Sequence, residues 1–271
     1  MTDQTSRPTS NRDPNWRADG EPRLPADRTS AGPLPAPVGP PAPAASILLF
    51  AGFFALIGLL VVLGTLAEGI RDQEVYTLDQ IATPFLHAAA APALDAIMNA
   101  ATFAGSSLCI VPLFLLAIVV LLRIGRPGAA AFLSVASVGS LLINVALKLF
   151  FQRPRPQVPW AHVLPDYSFP SGHTMNSVAF YVGLVIIVWS ISGRHRGAIA
   201  LVAAIILCMF VGISRIYLGY HYFTDVLGGA LAGASWLLIA LAAFRSKPLA
   251  RFWSGPEREP ATTARPPARR S

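Results

Sequence analysis

From Ser46 to Ala67 the chain reads SILLFAGFFALIGLLVVLGTLA, 22 residues without a charge. At about 1.5 Å per residue such a run covers a hydrocarbon core of roughly 30 Å, so it predicts a first transmembrane helix. Further apolar runs lie at about 107–122, 129–151, 174–191, 197–214 and 224–244, each near or slightly below spanning length once its flanks are counted. Between the first two runs, Glu68, Asp72, Glu74, Asp79 and Asp95 alternate with short apolar patches, and Pro84 and Pro92 interrupt any long helix. That segment predicts short interfacial helices. The expected fold is all-α, an integral membrane bundle of six transmembrane helices with short interfacial helices between the first two. Residues 1–44 hold ten of the 24 prolines and almost no large apolar side chains, too little burial to offset ordering entropy. They predict a disordered tail, 245–271 predicts a second, basic one, and 45–244 is left as the membrane domain.

Composition sharpens this picture. At 54% hydrophobic and 13% charged, the chain is far from the roughly 45–50% and 25% of soluble proteins. Residues 45–244 hold only 16 of its 35 charged side chains, and of the formal +7 charge the last 27 residues carry +5. No aromatic-interleaved basic surface or nucleic-acid motif accompanies the excess, so nucleic acid is not an expected partner. Cys109 and Cys208 each lie inside apolar runs, which is neither a disulfide framework nor a metal spacing. The long polar N-terminus lacks the early apolar region of a cleavable signal peptide, so the first apolar run is expected to stay in the mature protein.

The loop cations orient the bundle. Arg123, Arg126, Arg194 and Arg196 follow the second and fourth runs, and Arg245, Lys247 and Arg251 follow the sixth. The positive-inside rule puts these, and both termini, on the cytoplasmic side of a plasma-membrane protein. Lys148, Arg153, Arg155 and Arg215 then sit on the outer side, against that rule, where a charge near membrane depth needs an anionic partner.

Three clusters fall together on this outer side: Lys148-Leu-Phe-Phe-Gln-Arg-Pro-Arg155-Pro156, Pro170-Ser171-Gly172-His173, and Ser214-Arg215-Ile-Tyr-Leu-Gly-Tyr-His221-Tyr-Phe-Thr-Asp225. Lysine with planar guanidinium forks suits phosphate oxygens. Ser171-Gly172-His173 opens a helix, where free backbone N–H groups favour the same anion and Gly172 permits close approach. His221 and Asp225 are four apart, so a helix starting near His221 turns the carboxylate toward the imidazole, fixing its tautomer. Two histidines and a cationic clamp, without an acidic or thiol cluster spaced for metals, suggest phosphoryl transfer by one histidine with the other as acid. Neither a metal nor another cofactor is expected.

These residues match K-x6-R-P, P-S-G-H and S-R-x5-H-x3-D, and the chain thereby resembles the type 2 phosphatidic acid phosphatase (PAP2) superfamily over roughly residues 46–244. The resemblance implies that His221 attacks phosphorus to form a phosphohistidine, oriented by Asp225. It implies that His173 protonates the leaving group, and that Lys148, Arg155, Ser171, Gly172 and Arg215 hold the phosphate oxygens. The repeated RPRP offers two arginines, and the spacing from Lys148 selects Arg155; Arg153 is left to bind a headgroup or to snorkel to the interface.

The expected activity is metal-independent hydrolysis of a lipid phosphate or prenyl diphosphate on the outer face, with membrane lipids as partners. A phosphotransferase using the same histidine is the alternative, and an anion or lipid transporter a remote one. Phosphatidic acid, phosphatidylglycerol phosphate, a polyprenyl diphosphate and a prenyl-linked sugar phosphate all suit the same clamp, and oligomeric state is open. Ser134, Ser137, Ser140, Asn144 and Lys148 recur at helical spacing, a polar stripe expected to face the bundle interior. Gly229 and Gly233 are expected to pack spans together. Tyr217, Tyr220, Tyr222, Phe223, Trp160, Tyr167 and Phe169 read as an interfacial aromatic belt, with headgroup contact as the alternative. His162 is a candidate rim contact, and His87 and His195 are left outside the chemistry.

Overall fold

A computed structural model of the chain describes residues 43–71, 76–162 and 164–245. The two tails expected to be disordered fall, but for their inner ends, outside the described residues. The regular elements are all helical: α1 (Pro43–Arg71), α2 (Tyr76–His87), α3 (Pro92–Ala104), α4 (Ser107–Arg123), α5 (Pro127–Phe151), α6 (Gly172–Ser177), a π-helical turn (Val178–Val182), α7 (Gly183–Ser192), α8 (Arg194–Tyr217) and α9 (Phe223–Arg245).

The expected six spans are not what the structure contains. Among the described residues four helices are long and apolar enough to cross a membrane: Pro127–Phe151, Gly172–Ser192, Arg194–Tyr217 and Phe223–Phe244. A fifth is reached only by counting α3 and α4, bent by 45°, as one broken span. The reason is length. α4 has 17 residues, about 26 Å at 1.5 Å per residue, and Gly105 and Ser106 interrupt the path back to α3. α1 itself runs for 29 residues, of which only Leu56–Ile70 counts, as a shorter apolar helix, among the described residues.

The ends of the long helices follow local rules. α5 opens on Pro127, where a missing N–H costs nothing and φ is already helical. It closes at Gln152, left-handed at φ 46, whose N–H returns to the Lys148 carbonyl at 3.0 Å. That turn carries the chain out of the helix into the RPRP segment. Gly219, at φ 75, makes the turn between α8 and α9 possible, since the left-handed region favours glycine. α6, the π-turn and α7 form a single 21-residue span with one π-type register change, a feature that recurs near functional sites.

Packing sets where these ends meet. Phe132, Leu133, Ala136, Phe180, Ile187, Leu237, Ala240 and Phe244 build the apolar core among α5, the π-helical turn, α7 and α9. α9 lies close against α6: a Cβ on Gly229 would stand 2.6 Å from the Ser171 carbonyl oxygen, and one on Gly233 2.7 Å from that of Met175. The paired glycines therefore serve packing within the bundle, as their spacing suggests. The polar stripe on α5 turns inward: the Ser140 hydroxyl donates to Asn176 Oδ1 at 2.8 Å, and Asn144 Nδ2 donates to the Pro170 carbonyl at 3.2 Å. Large apolar side chains such as Leu142, Phe150, Ile199 and Val202 stay exposed, a surface suited to lipid. The C-terminal ends of α5 and α8 and the N-terminal ends of α6 and α9 converge at one end of this bundle, and the three sequence clusters converge with them.

Candidate active site

His221 sits in the turn between α8 and α9, fully buried, its backbone N–H held by the Arg215 carbonyl at 3.1 Å. Asp225 lies in the first turn of α9, one helical turn on, and its Oδ2 is 3.4 Å from His221 Nδ1. A carboxylate there places the imidazole hydrogen on Nδ1 and leaves the Nε2 lone pair available. Nε2 faces Arg155 Nη1 at 3.2 Å. Burial pushes the His221 pKa down to about 4; the hydrogen bond and charge of Asp225 oppose that, while Arg155 and Arg215 add to it. The imidazole is therefore neutral at physiological pH.

Asp225 is saturated. Arg153 Nη1 donates to its Oδ1 at 2.6 Å, the Tyr222 N–H donates to Oδ2 at 2.9 Å, and the Ser168 hydroxyl donates to the same oxygen. Its own carbonyl accepts from the Ser171 N–H at 2.9 Å, which ties the PSGH segment to α9. Arg153 does not point to solvent or lipid, contrary to either role left to it from the sequence. Its Nη2 donates to Asp79 Oδ2 at 2.5 Å, and its guanidinium lies 4.3 Å over the Tyr222 ring. Asp79, on α2 and fully buried, also accepts from the Thr224 N–H at 3.0 Å and hydroxyl at 2.6 Å. Burial alone would lower the Arg153 pKa, yet Asp225 and Asp79 outweigh it and hold the guanidinium charged.

On the other side of His221 stands the cationic cluster. Arg155 Nη1 also donates to the Tyr220 carbonyl at 2.5 Å, while Nε and Nη2 reach Asp166 Oδ1 at 3.1 and 2.7 Å. Lys148 Nζ donates to Asp166 Oδ2 and, at 2.6 Å, to the Tyr167 carbonyl. Burial would raise the Asp166 pKa, but hydrogen bonds from Lys148 and Arg155 and their charges hold it below its ordinary value. Arg215, near the end of α8, donates from Nη1 to Thr102 Oγ1 of α3 at 2.5 Å and lies 4.4 Å over the Tyr220 ring. Its Nε is buried without a hydrogen-bond partner, a donor that a phosphate oxygen would satisfy. His173, half-buried on α6, is within electrostatic reach of Arg215, His221, Arg155 and Lys148.

The structure thus brings together His221, Asp225, His173, Lys148, Arg155 and Arg215. Ser171 and Gly172 lie at the base of the cluster. The Ser171 N–H is taken by Asp225 and its hydroxyl accepts from Thr174 at 3.1 Å. A Cβ on Gly172 would meet Asn144 Oδ1 at 2.9 Å, so glycine here permits close approach to α5. Among the described residues no group of three or more His, Cys, Asp or Glu side chains could hold a metal ion.

Reading the sequence missed Asp79, Thr102, Asp166 and Ser168. The last two stand near PSGH and could have been suspected from polarity alone; Asp79 and Thr102 could not, since no local spacing links them to partners over 70 residues away. The aromatic belt also changes. Phe169 and Tyr217 are buried, with Phe169 edge-on to Phe151 and the Tyr217 hydroxyl on Asp95 Oδ1 at 2.6 Å. Trp160 stacks on His87 at 4.1 Å between ring centroids, so His87 braces the loop against the α8–α9 turn.

Comparison with known proteins agrees with this geometry. The PAP2 superfamily profile matches residues 128–248. Phosphatidylglycerophosphatase B of Bacillus subtilis is 32% identical over 177 residues, 62% of this chain and 84% of that one. An undecaprenyl-diphosphatase of the same organism is 30% identical over 44% of this chain and 58% of its own. The crystal structure of a transmembrane PAP2-type phosphatidylglycerolphosphate phosphatase from Bacillus subtilis superposes with a TM-score of 0.65 at 25% identity, over 69% of this chain and 94% of that one.

Proposed function

We propose, for a chain that belongs to the PAP2 superfamily and is a PAP2-type membrane lipid phosphatase, that hydrolysis runs through a phosphohistidine on His221. The observation that carries this reading is the two-sided setting of that one imidazole: Asp225 at Nδ1, and Arg155 3.2 Å from Nε2. A neutral histidine with its unprotonated nitrogen beside a guanidinium is a nucleophile already facing the charge that binds its target. Nε2 attacks phosphorus, the bond to the leaving oxygen breaks, and His173 supplies the proton that oxygen needs. Water then attacks the phosphohistidine, giving its proton to His173, and inorganic phosphate leaves. Lys148, Arg155 and Arg215 hold the non-bridging oxygens, with the orphaned Nε of Arg215 supporting that role, and Ser171 and Gly172 shape the base of the site.

The substrates in this reading are lipid phosphates of the cell envelope. The names of the Bacillus subtilis relatives point to phosphatidylglycerol phosphate and undecaprenyl diphosphate. Arg123, Arg126, Arg194 and Arg196, at the ends of these helices opposite the site, support placing the site on the outer face; in this reading both termini are cytoplasmic and residues 45–244 are the catalytic domain. Purified protein given phosphatidylglycerol phosphate, phosphatidic acid and undecaprenyl diphosphate in detergent is expected to release phosphate from at least one. His221→Ala should lose about 10⁴-fold or more in kcat, and acid-labile label from a phosphorus-32 substrate should be trapped on the wild type alone. Full turnover by His221→Ala would refute the mechanism.

A further inference from the structure

Asp166 places a negative charge against the cations that a phosphate would need. It stands in the loop before PSGH with a side chain 52% exposed, whereas those of Lys148 and Arg155 are 14% and 6% exposed. Its single carboxylate engages both cations of the first motif, Lys148 on one oxygen and the Arg155 fork on the other. That is the arrangement a phosphate would need.

A guanidinium has five N–H groups. In Arg155, Nε is shared between the carboxylate and the backbone carbonyl of Asp166, one N–H of Nη2 goes to the carboxylate, and the two of Nη1 go to the Tyr220 carbonyl and toward His221 Nε2. One N–H remains, too few for the bidentate grip that makes arginine a strong phosphate ligand. Of the three N–H groups of Lys148, two go to Asp166 and the Tyr167 carbonyl. A phosphate dianion entering beside Asp166 would also meet a carboxylate of its own sign. Asp166, for its part, is exposed enough for water to receive it when it moves, and water on its half-exposed side screens the pair.

We propose that Asp166 is a built-in competitor for the phosphate clamp: it holds Lys148 and Arg155 between turnovers, the substrate phosphate displaces it, and its return helps expel inorganic phosphate. This rests on the phosphatase reading for the identity of the displacing group. The cost of displacing Asp166 is the same for substrate and product, but a lipid substrate has the binding energy of its tail to meet it and inorganic phosphate does not. Asp166 thereby sets affinity for the phosphate without touching the bonds that react.

The test is Asp166→Asn, which keeps the shape and removes the charge, in full-length protein in detergent. Competitive Ki values for inorganic phosphate and for orthovanadate should both fall by about three- to tenfold, with KM for phosphatidic acid falling in parallel and kcat unchanged or reduced. Unchanged or raised Ki and KM would overturn the proposal and make Asp166 a prop for the cations. Asp166→Ser, checked for an unaltered melting temperature, provides a second variant if the first folds poorly. Inorganic phosphate binding to His221→Ala with and without Asp166→Asn separates the two readings. Tighter binding there without wild-type turnover of any lipid phosphate supports the competitor and sinks the phosphatase mechanism. Wild-type turnover without tighter binding does the reverse.

Discussion

Arg153 and Arg155 stand two residues apart in one RPRP segment, yet they belong to different machines. Arg153 lies between two fully buried carboxylates, Asp79 and Asp225, at 2.5 and 2.6 Å. Arg155 lies against a half-exposed carboxylate, a backbone carbonyl and the Nε2 of His221. The first arginine neutralises negative charge that is permanent and internal. In the proposed mechanism the second faces a region where negative charge arrives and leaves. The lesson is that a cation at membrane depth is not by itself a ligand site: what matters is whether fixed anions already satisfy it. Arg153 is satisfied by fixed anions, and it fixes Asp225, which in turn fixes His221.

The largest effect expected from breaking that arrangement is at Asp225. Asp225→Asn keeps the shape but presents the wrong hydrogen-bonding partner to Nδ1, so kcat should fall about 10⁴-fold with the protein still folded; a loss under tenfold would detach Asp225 from catalysis. Arg153→Leu comes next and acts mainly on stability. It leaves Asp79 and Asp225 buried without their cation, and breaking a buried pair by removing one partner costs about 3–5 kcal/mol. A clear drop in melting temperature should accompany its loss of activity, and adding Asp79→Asn should restore part of the stability. Arg155→Leu should show the opposite profile, losing about 10²–10³-fold in kcat, the scale for one donor aimed at transition-state charge, with little change in melting temperature. If the two arginine variants behaved alike, the distinction between them would fail.

How much of this was readable in the sequence follows the same division. Helices α5, α8 and α9 lie within three residues of the apolar runs that predict them, because lipid-facing side chains leave an uninterrupted record. The span count failed where length alone was decisive, at α4, which reaches across a membrane only with α3 across the bend at Gly105. At the site, Lys148, Arg155, His173, Arg215, His221 and Asp225 were legible because each sits in a short motif at fixed spacing. Asp79 is joined to Thr224 across 145 residues. Such a pair has no period, and only the packing of α2 against α8 and α9 reveals it. The chemistry was written locally and its support was not.

The smallest effect distinguishes the two neighbours of His221 by sign. In the proposed mechanism His221 must be neutral to attack, and in the free protein its pKa is lowered from 6.5 to about 4, chiefly by burial. The acid limb of kcat/KM, which reports groups in the free enzyme, should therefore fall through about pH 4 in the wild type. Between 6.5 and 4 the unfolded chain binds the proton that the folded chain refuses. The contribution of this residue to stability is thus fully present above 6.5 and is lost as pH falls through about 4. Asp225 raises the His221 pKa and Arg155 lowers it. In Arg155→Gln the limb should move to higher pH, and in Asp225→Asn to lower pH, each measured on residual activity across pH 3 to 7. A shift in the same direction for both would mean that the two groups reach His221 through a general disturbance of the site and not through their opposite charges.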